Sequence, residues 1–309
     1  MDEAKNDIEE YHQLLRTAFD AYLEQLRTGG LEPSEGFLPY DFEEEIAARQ
    51  WSYPGCRIVE NELRELTNDL NSWHNSLLYW NAWNKVIQPC HTDEVKAWEL
   101  RSEFLEPLVF YCLFQPASSR DRFTFVVTNA MHQVRLMVEN GYKDYLEGDR
   151  KTPDEKPKYL VRRLKEKRLS KLISIWSAEK EEFMALLRAI DDEAYKKETS
   201  DYRNRHSHII GPQLGIGYVR TVVRSVRENT TMTEQPDGTY IDTPTGKMVA
   251  SYSIGGGTPP LDLEKAHAAN LEQYRRARKC YESYRKLLAV GMEAMPLAGK
   301  PRGEQGKTE

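Results

Sequence analysis

Cysteine is scarce: Cys56, Cys90, Cys112 and Cys280 are the only four in 309 residues. No two have the C-x-x-C spacing of a zinc site or redox motif, and four scattered thiols do not form a disulfide scaffold. They read as reduced, mostly buried thiols. Long apolar runs are missing too. The longest, residues 105–114 (LEPLVFYCLF), contains a Glu and a Pro and falls short of the ~20 apolar residues of a membrane-spanning helix. The opening residues, MDEAKNDIEE, have neither the basic start nor the apolar stretch of an export signal. The chain is therefore expected to be cytoplasmic, with no membrane partner. Positive charge is not in excess: Lys plus Arg is 43 against 49 Asp plus Glu, a formal charge of −6. That excludes a polyanion binder held by its overall field and leaves local basic patches. There is no G-x-x-x-x-G-K-[ST] or G-x-G-x-x-G phosphate loop, no H-E-x-x-H and no G-x-S-x-G, so the motif-defined nucleotide-binding and hydrolase classes receive no support. Gly255-Gly256-Gly257 precedes Thr-Pro-Pro and reads as a flexible connector.

A hydrophobic fraction of 39% is enough for a core, which excludes a disordered chain. The dominant pattern is helical. Ile8, Tyr11, Leu15, Ala18, Tyr22 and Leu26 recur at steps of three and four before Gly29-Gly30, which predicts an amphipathic helix and its stop. A short helix is expected over 41–51. Val59, Leu63, Leu66, Leu70, Trp73, Leu77 and Trp80 then alternate spacings of four and three. This is a heptad seam that lays one narrow stripe against another helix. Five of the six Trp lie between residues 51 and 98. They read as a helix interface, with a stacking platform for bases or sugars as the alternative. Further helices are expected from Asp93 to Phe114, kinked or split at Pro107, and over 123–137. Another is expected from 169 through Tyr195 towards Ile210, where Gly211-Pro212 stops it.

Residues 213–258 differ. They are rich in Val, Thr, Tyr, Ser and Gly, with β-like runs at 219–226, 239–241 and 247–254. The expected fold class is mainly α, a multi-helix bundle with a small β-hairpin or meander inserted around 213–258. The expected organisation is an N-terminal helical part over 1–150, a second helical part over 151–295 that contains the insertion, and a disordered tail over 296–309. All of this is compatible with one continuous domain.

Reactive side chains concentrate at Asp201-Tyr202-Arg203-Asn204-Arg205-His206-Ser207-His208, which holds two of the seven histidines. Histidine titrates near neutrality and exchanges protons. Arginine stays charged and grips phosphate with a planar fork. Together they suit metal-free cleavage of an RNA phosphodiester: His moves the proton of the 2′-hydroxyl or of the leaving oxygen, and Arg stabilises charge at phosphorus. The six residues from Arg203 to His208 resemble the R-x(4–6)-H motif of the HEPN superfamily, in which Asn after the Arg is the commonest polar choice. The resemblance implies an all-α bundle, found in toxin–antitoxin, antiphage and RNA-processing systems, and often a metal-independent RNase. It implies a homodimer in which both motifs face one composite site. In that reading Arg203, Asn204 and His208 are catalytic, Arg205 and His206 contact RNA, and no cofactor or metal is required. A partner protein such as an antitoxin would fit the same systems.

On a regular helix Arg203 and His208 lie ~140° apart and do not meet. Either the helix frays at the motif, or the Arg of one chain works beside the His of another. His206, three positions from Arg203, shares its face. The His206-x-His208 pair is also a metal-ligand alternative, with few other ligands nearby. Basic patches occur at 156–171, at Arg220, Arg224 and Arg227, and at Arg275, Arg276, Arg278 and Lys279. Each suits either an RNA backbone or a solvated face. Two other readings stand beside the enzyme. One is a non-catalytic HEPN-like module that binds RNA, nucleotide or protein. The other is a helical interaction protein that docks through the 59–80 seam.

Overall fold

The fold is a computed structural model in which residues 2–156 and 158–299 are described. In chain order the helices are α1 (Asp2–Thr28), α2 (Glu43–Ala47), α3 (Gly55–Ile87), α4 (Glu94–Leu100), α5 (Glu106–Val138), α6 (Arg162–Leu172), α7 (Ser177–Ala189), α8 (Glu193–Glu198) and α9 (Tyr202–His208). Strands β1 (Val219–Glu234) and β2 (Tyr240–Thr258) follow, and then α10 (Leu263–Glu293). The fold is mainly α, as the periodicity predicts, and no helix among the described residues is long and apolar enough to cross a membrane.

The chain forms two compact units: residues 1–199 with 264–309, and residues 200–263. The first is a helical bundle. Its centre is the heptad seam of α3, whose Val59, Leu63, Leu66, Leu70, Trp73, Leu77 and Trp80 are all buried. The seam is core, which removes it as a docking surface. It faces α10 in antiparallel register: Trp80 meets His267, Trp73 meets Tyr274, and Thr67 meets Tyr281. Trp83, which lies off the seam, is buried in a column of three parallel rings, 4.6 Å from Tyr22 and 4.2 Å from Phe104. Trp73, Trp80 and Trp83 are buried and form an interface rather than a platform for bases, while Trp98 is exposed. Gly291 lets α10 approach α5 closely, because a Cβ there would stand 2.9 Å from Met131 Cε and 3.1 Å from Val134 Cγ1.

Several elements depart from the periodicity. The segment from 93 is not split at Pro107: a π turn over Arg101–Leu105 joins α4 directly to α5, and Pro107 lies in the first turn of α5. Helix α5 also runs on unbroken through Pro116, across the interval where the sequence separates two helices. An interior proline frees the carbonyl four residues back and normally costs ~3 kcal/mol or more. Here that carbonyl, Cys112 O, accepts a hydrogen bond from Asn270 Nδ2 of α10 at 2.8 Å. The helix expected from 169 to 210 is four pieces, with breaks at Ile173, at Asp191 (φ 56°), and at Ser200 and Asp201 (φ 54° and 49°). The expected disordered tail is anchored at its start, where Gln50 N–H donates to Pro296 O (2.8 Å) and Ala298 N–H to Ala48 O (2.9 Å). The remainder, from residue 300, lies outside the described residues.

In the second unit β1 and β2 form one antiparallel hairpin rather than a meander, and β2 extends through Gly255-Gly256-Gly257. The three glycines are therefore strand, not connector. Pro236-Asp237-Gly238 makes the turn: Gly238 N–H donates to Gln235 O at 2.9 Å and Gly238 takes φ +81°. The residue types match, with Pro presetting φ, Asp accepting from Thr239 and Gly supplying the left-handed position.

Candidate functional site

The Arg203–His208 motif occupies α9, a helix of seven residues that opens the second unit. Its start is set by the consecutive left-handed residues Ser200 and Asp201. Ser and Asp compete for backbone hydrogen bonds and favour turns over helix interiors. Asp201 does not cap the first turn by accepting a backbone N–H. Its carboxylate instead accepts from Asn204 Nδ2, at 2.9 Å and 3.1 Å to its two oxygens. Asn204 Oδ1 in turn accepts from Arg203 Nη1 at 3.0 Å. Asp201, Asn204 and the half-buried Arg203 thus form a chain in which one guanidinium nitrogen is engaged.

Arg205 donates from Nη2 to Thr258 Oγ1 at the hairpin base, at 2.9 Å. Tyr202 is buried and stacks on the His206 ring at 5.3 Å with the planes 17° apart. That i,i+4 contact is ordinary on a helix. His206 and His208 are both exposed. After Ile209 the chain folds back, so that a Cβ on Gly211 would touch the Cβ of His206 at 3.4 Å.

Within one chain the structure brings Arg203 and Asn204 together and leaves His208 apart. The helix persists through His208, so the ~140° separation of a regular helix holds and fraying does not close it. His206 is oriented by Tyr202, and Arg205 is tied to Thr258. Neither contact follows from motif spacing. The Tyr202–His206 pair is legible from its four-residue step. Thr258, 53 positions downstream of Arg205, leaves no local signal.

The basic patches divide sharply. Arg275 is paired with Glu35 at 2.6 Å and Glu32 at 2.8 Å, and Arg276 with Asp192 at 2.6 Å. Arg278 donates to Gly36 O. These arginines of α10 hold the bundle together and do not form a free cationic face. Arg162 is likewise consumed, by Asp121 at 2.9 Å and by the buried Asp191 at 2.5 Å. Asp192 caps α8 by accepting from Tyr195 N–H at 2.9 Å. Arg163, Lys167 and Lys171 stay exposed at four-residue spacing on α6. Arg220, Arg224 and Arg227 are exposed on β1.

The cysteines are free, Cys112 and Cys280 buried and Cys56 and Cys90 half-buried. Burial pushes both buried thiols well above the ordinary value, which makes them unreactive. A second unusual group lies in the bundle. Burial pushes the Glu62 carboxyl up to about 7, against a hydrogen bond from Asn129 Nδ2 to its Oε1 at 2.8 Å. Glu62 Oε2 and Tyr284 OH are buried with no hydrogen-bond partner among the described residues.

Comparison with protein-family models, with curated proteins and with solved structures gives no match.

Proposed function

We propose that the second unit carries a HEPN-like, metal-independent endoribonuclease site. Arg203 binds and stabilises the scissile phosphate, Asn204 orients it, and His208 is the general acid or base. Arg205 and His206 make auxiliary RNA contacts. The observation that carries the reading is the arrangement on α9. Arg203 is held by Asn204 and Asp201, and an exposed imidazole stands five positions on, on the same short helix. A preorganised guanidinium is what a developing phosphorane charge requires. In the reaction the 2′-oxygen loses its proton to a base and bonds to phosphorus. The bond from phosphorus to the 5′-oxygen breaks, and that oxygen receives a proton. The product is a 2′,3′-cyclic phosphate.

Arg203 and His208 diverge within one chain, so the reading requires a homodimer in which the Arg of one subunit works with the His of the other. A chain acting alone would hold RNA through Arg203, Arg205 and the β1 arginines without cleaving it. That divergence is the observation in favour of a non-catalytic RNA-binding module.

The test is incubation of the full chain with RNA and with DNA of the same sequence, with and without chelator. Cleavage of RNA alone, undiminished by chelator and ending in a cyclic phosphate, is the expected result. Equal cleavage of DNA overturns the reading. RNA binding without cleavage, lost on Arg203→Ala, transfers the assignment to the binding module.

A further inference from the structure

The hairpin leaves large apolar side chains exposed. In an antiparallel pair, directly opposed residues share a face, and alternate residues of a strand do so too. The register therefore places Val222, Val226 and Met232 of β1 with Tyr240, Met248 and Tyr252 of β2 on one face. All six are exposed, by 53–69%. The opposite face is mixed: Ser225 stands across from Ser251 and Thr231 across from Thr243, but the exposed Val249 and Ile241 stand across from Arg227 and Thr233. A two-stranded ribbon has no layer behind it to bury an apolar face and is marginal alone in water.

Charge along the ribbon is completely segregated. The half nearest α9, residues 219–227 with 247–258, carries Arg220, Arg224, Arg227 and Lys247 and no acid. The half nearest the turn, residues 228–246, carries Glu228, Glu234, Asp237 and Asp242 and no base. The ribbon is an electrostatic dipole, with its boundary near its midpoint.

We infer that the apolar face of this ribbon docks a second copy of itself, antiparallel, about a two-fold axis through Val226. Arg224 and Glu228 lie two residues on either side of that axis and on the same face as Val226. The two-fold therefore sets Arg224 against the partner subunit's Glu228, and Arg220 level with the Met232–Asp242 pair of the copy. A parallel arrangement sets base on base and acid on acid. A nucleic acid fits the basic half but meets Glu228, Glu234 and Asp242 on the same face, where phosphate is repelled. Two faces of this length, at ~3.3 Å per residue, bury on the order of 1,000 Å² in total. That is the lower end for a specific contact, so association depends on concentration and weakens with salt. Arg205 ties α9 to the ribbon base, so the two α9 helices fall at opposite ends of the joined ribbons. The contact is thus distinct from one that sets α9 beside α9, and it does not depend on the ribonuclease reading.

The experiment is sedimentation of the full chain across concentration and salt, with circular dichroism to confirm folding. The variants are Arg224→Glu, Glu228→Arg, the double exchange, and Val226→Asp. Each single reversal should weaken self-association by about tenfold or more, because like charges then oppose each other. Val226→Asp should do the same, and the double exchange should restore association. A wild-type chain that stays monomeric overturns the inference, as does association indifferent to all four variants. So does loss of RNA binding in Arg224→Glu, with a gain in Glu228→Arg and assembly unchanged in both, which would assign the face to nucleic acid.

Discussion

His208 is exposed at the end of a seven-residue helix, so its imidazole adds little to stability. Its removal tests chemistry alone. His208→Ala should lower RNA cleavage by ~10²–10⁴, the usual worth of positioned proton transfer. Thermal unfolding should stay at the wild-type midpoint. Arg203→Ala should cost at least as much, since it removes the fixed charge at phosphorus. Asp201→Asn tests the support of that charge: Asn204 loses a carboxylate acceptor. RNA cleavage should fall less than in Arg203→Ala. Glu62 behaves in the opposite way, as a group that matters to the fold. Burial raises its carboxyl from 4.5 to about 7. An acid whose folded value is raised favours the folded state at low pH, and that contribution is lost as pH rises from about 4.5 through 7. Glu62→Gln should therefore be more stable than wild type at pH 8 and gain nothing at pH 4, as read by urea unfolding at the two values. Of these residues Arg203, Asn204 and His208 are legible in the sequence because they follow one another in a recognisable pattern. Glu62 is not legible there, because periodicity reports the stripe and not the depth of its neighbours.

At the level of elements, local signals locate helices well and their interruptions poorly. The α3 seam is evident because its seven apolar side chains keep one period, and all seven are buried. The continuity of α5 through Pro116 is not evident, because its compensation comes from α10. Asn270 donates to the freed Cys112 carbonyl and to Tyr195 OH, and its Oδ1 accepts from Trp73 Nε1 at 2.8 Å. One amide thus serves three other helices from a fully buried position. Asn270→Leu should leave at least Cys112 O and Trp73 Nε1 unpaired, at about 1–3 kcal/mol each. The expected result is a lower urea midpoint with an unchanged slope. The separation of α9 from α8 is equally hidden. Thr199, Ser200 and Asp201 prefer turns only weakly over helix, and the apolar period continues across them. The ribbon turn, by contrast, is legible in Pro236-Asp237-Gly238, where each residue has a defined backbone task.

At the scale of the whole molecule the question is where the proposed catalytic pair meets. Arg203 and His208 diverge on α9, so the ribonuclease reading places them across two subunits, and that arrangement has an arithmetical consequence. Arg203→Ala chains retain His208, and His208→Ala chains retain Arg203. The composite site of a dimer holds two Arg–His pairs, each drawn from both subunits, and a dimer of one variant with the other keeps one pair with both groups and one with neither. Random pairing makes about half of the dimers mixed, each with one intact pair in two, so a mixture of the inactive variants should recover about a quarter of wild-type cleavage. A site contained within one chain recovers nothing, because no chain in the mixture holds both groups. Subunits must exchange for the test to work, so the variants are best unfolded and refolded together, with each refolded alone as the control. Ribbon pairing bears on the same measurement. It separates the two α9 helices, so it cannot by itself assemble the composite site. A chain that uses both contacts has two different two-fold interfaces, which close as a tetramer when their axes cross at right angles. In that case Arg224→Glu should reduce the tetramer to a dimer that still shows complementation. Loss of complementation in that variant, with its fold intact, would mean that the ribbon contact is the one that brings the motifs together and that its antiparallel geometry is wrong.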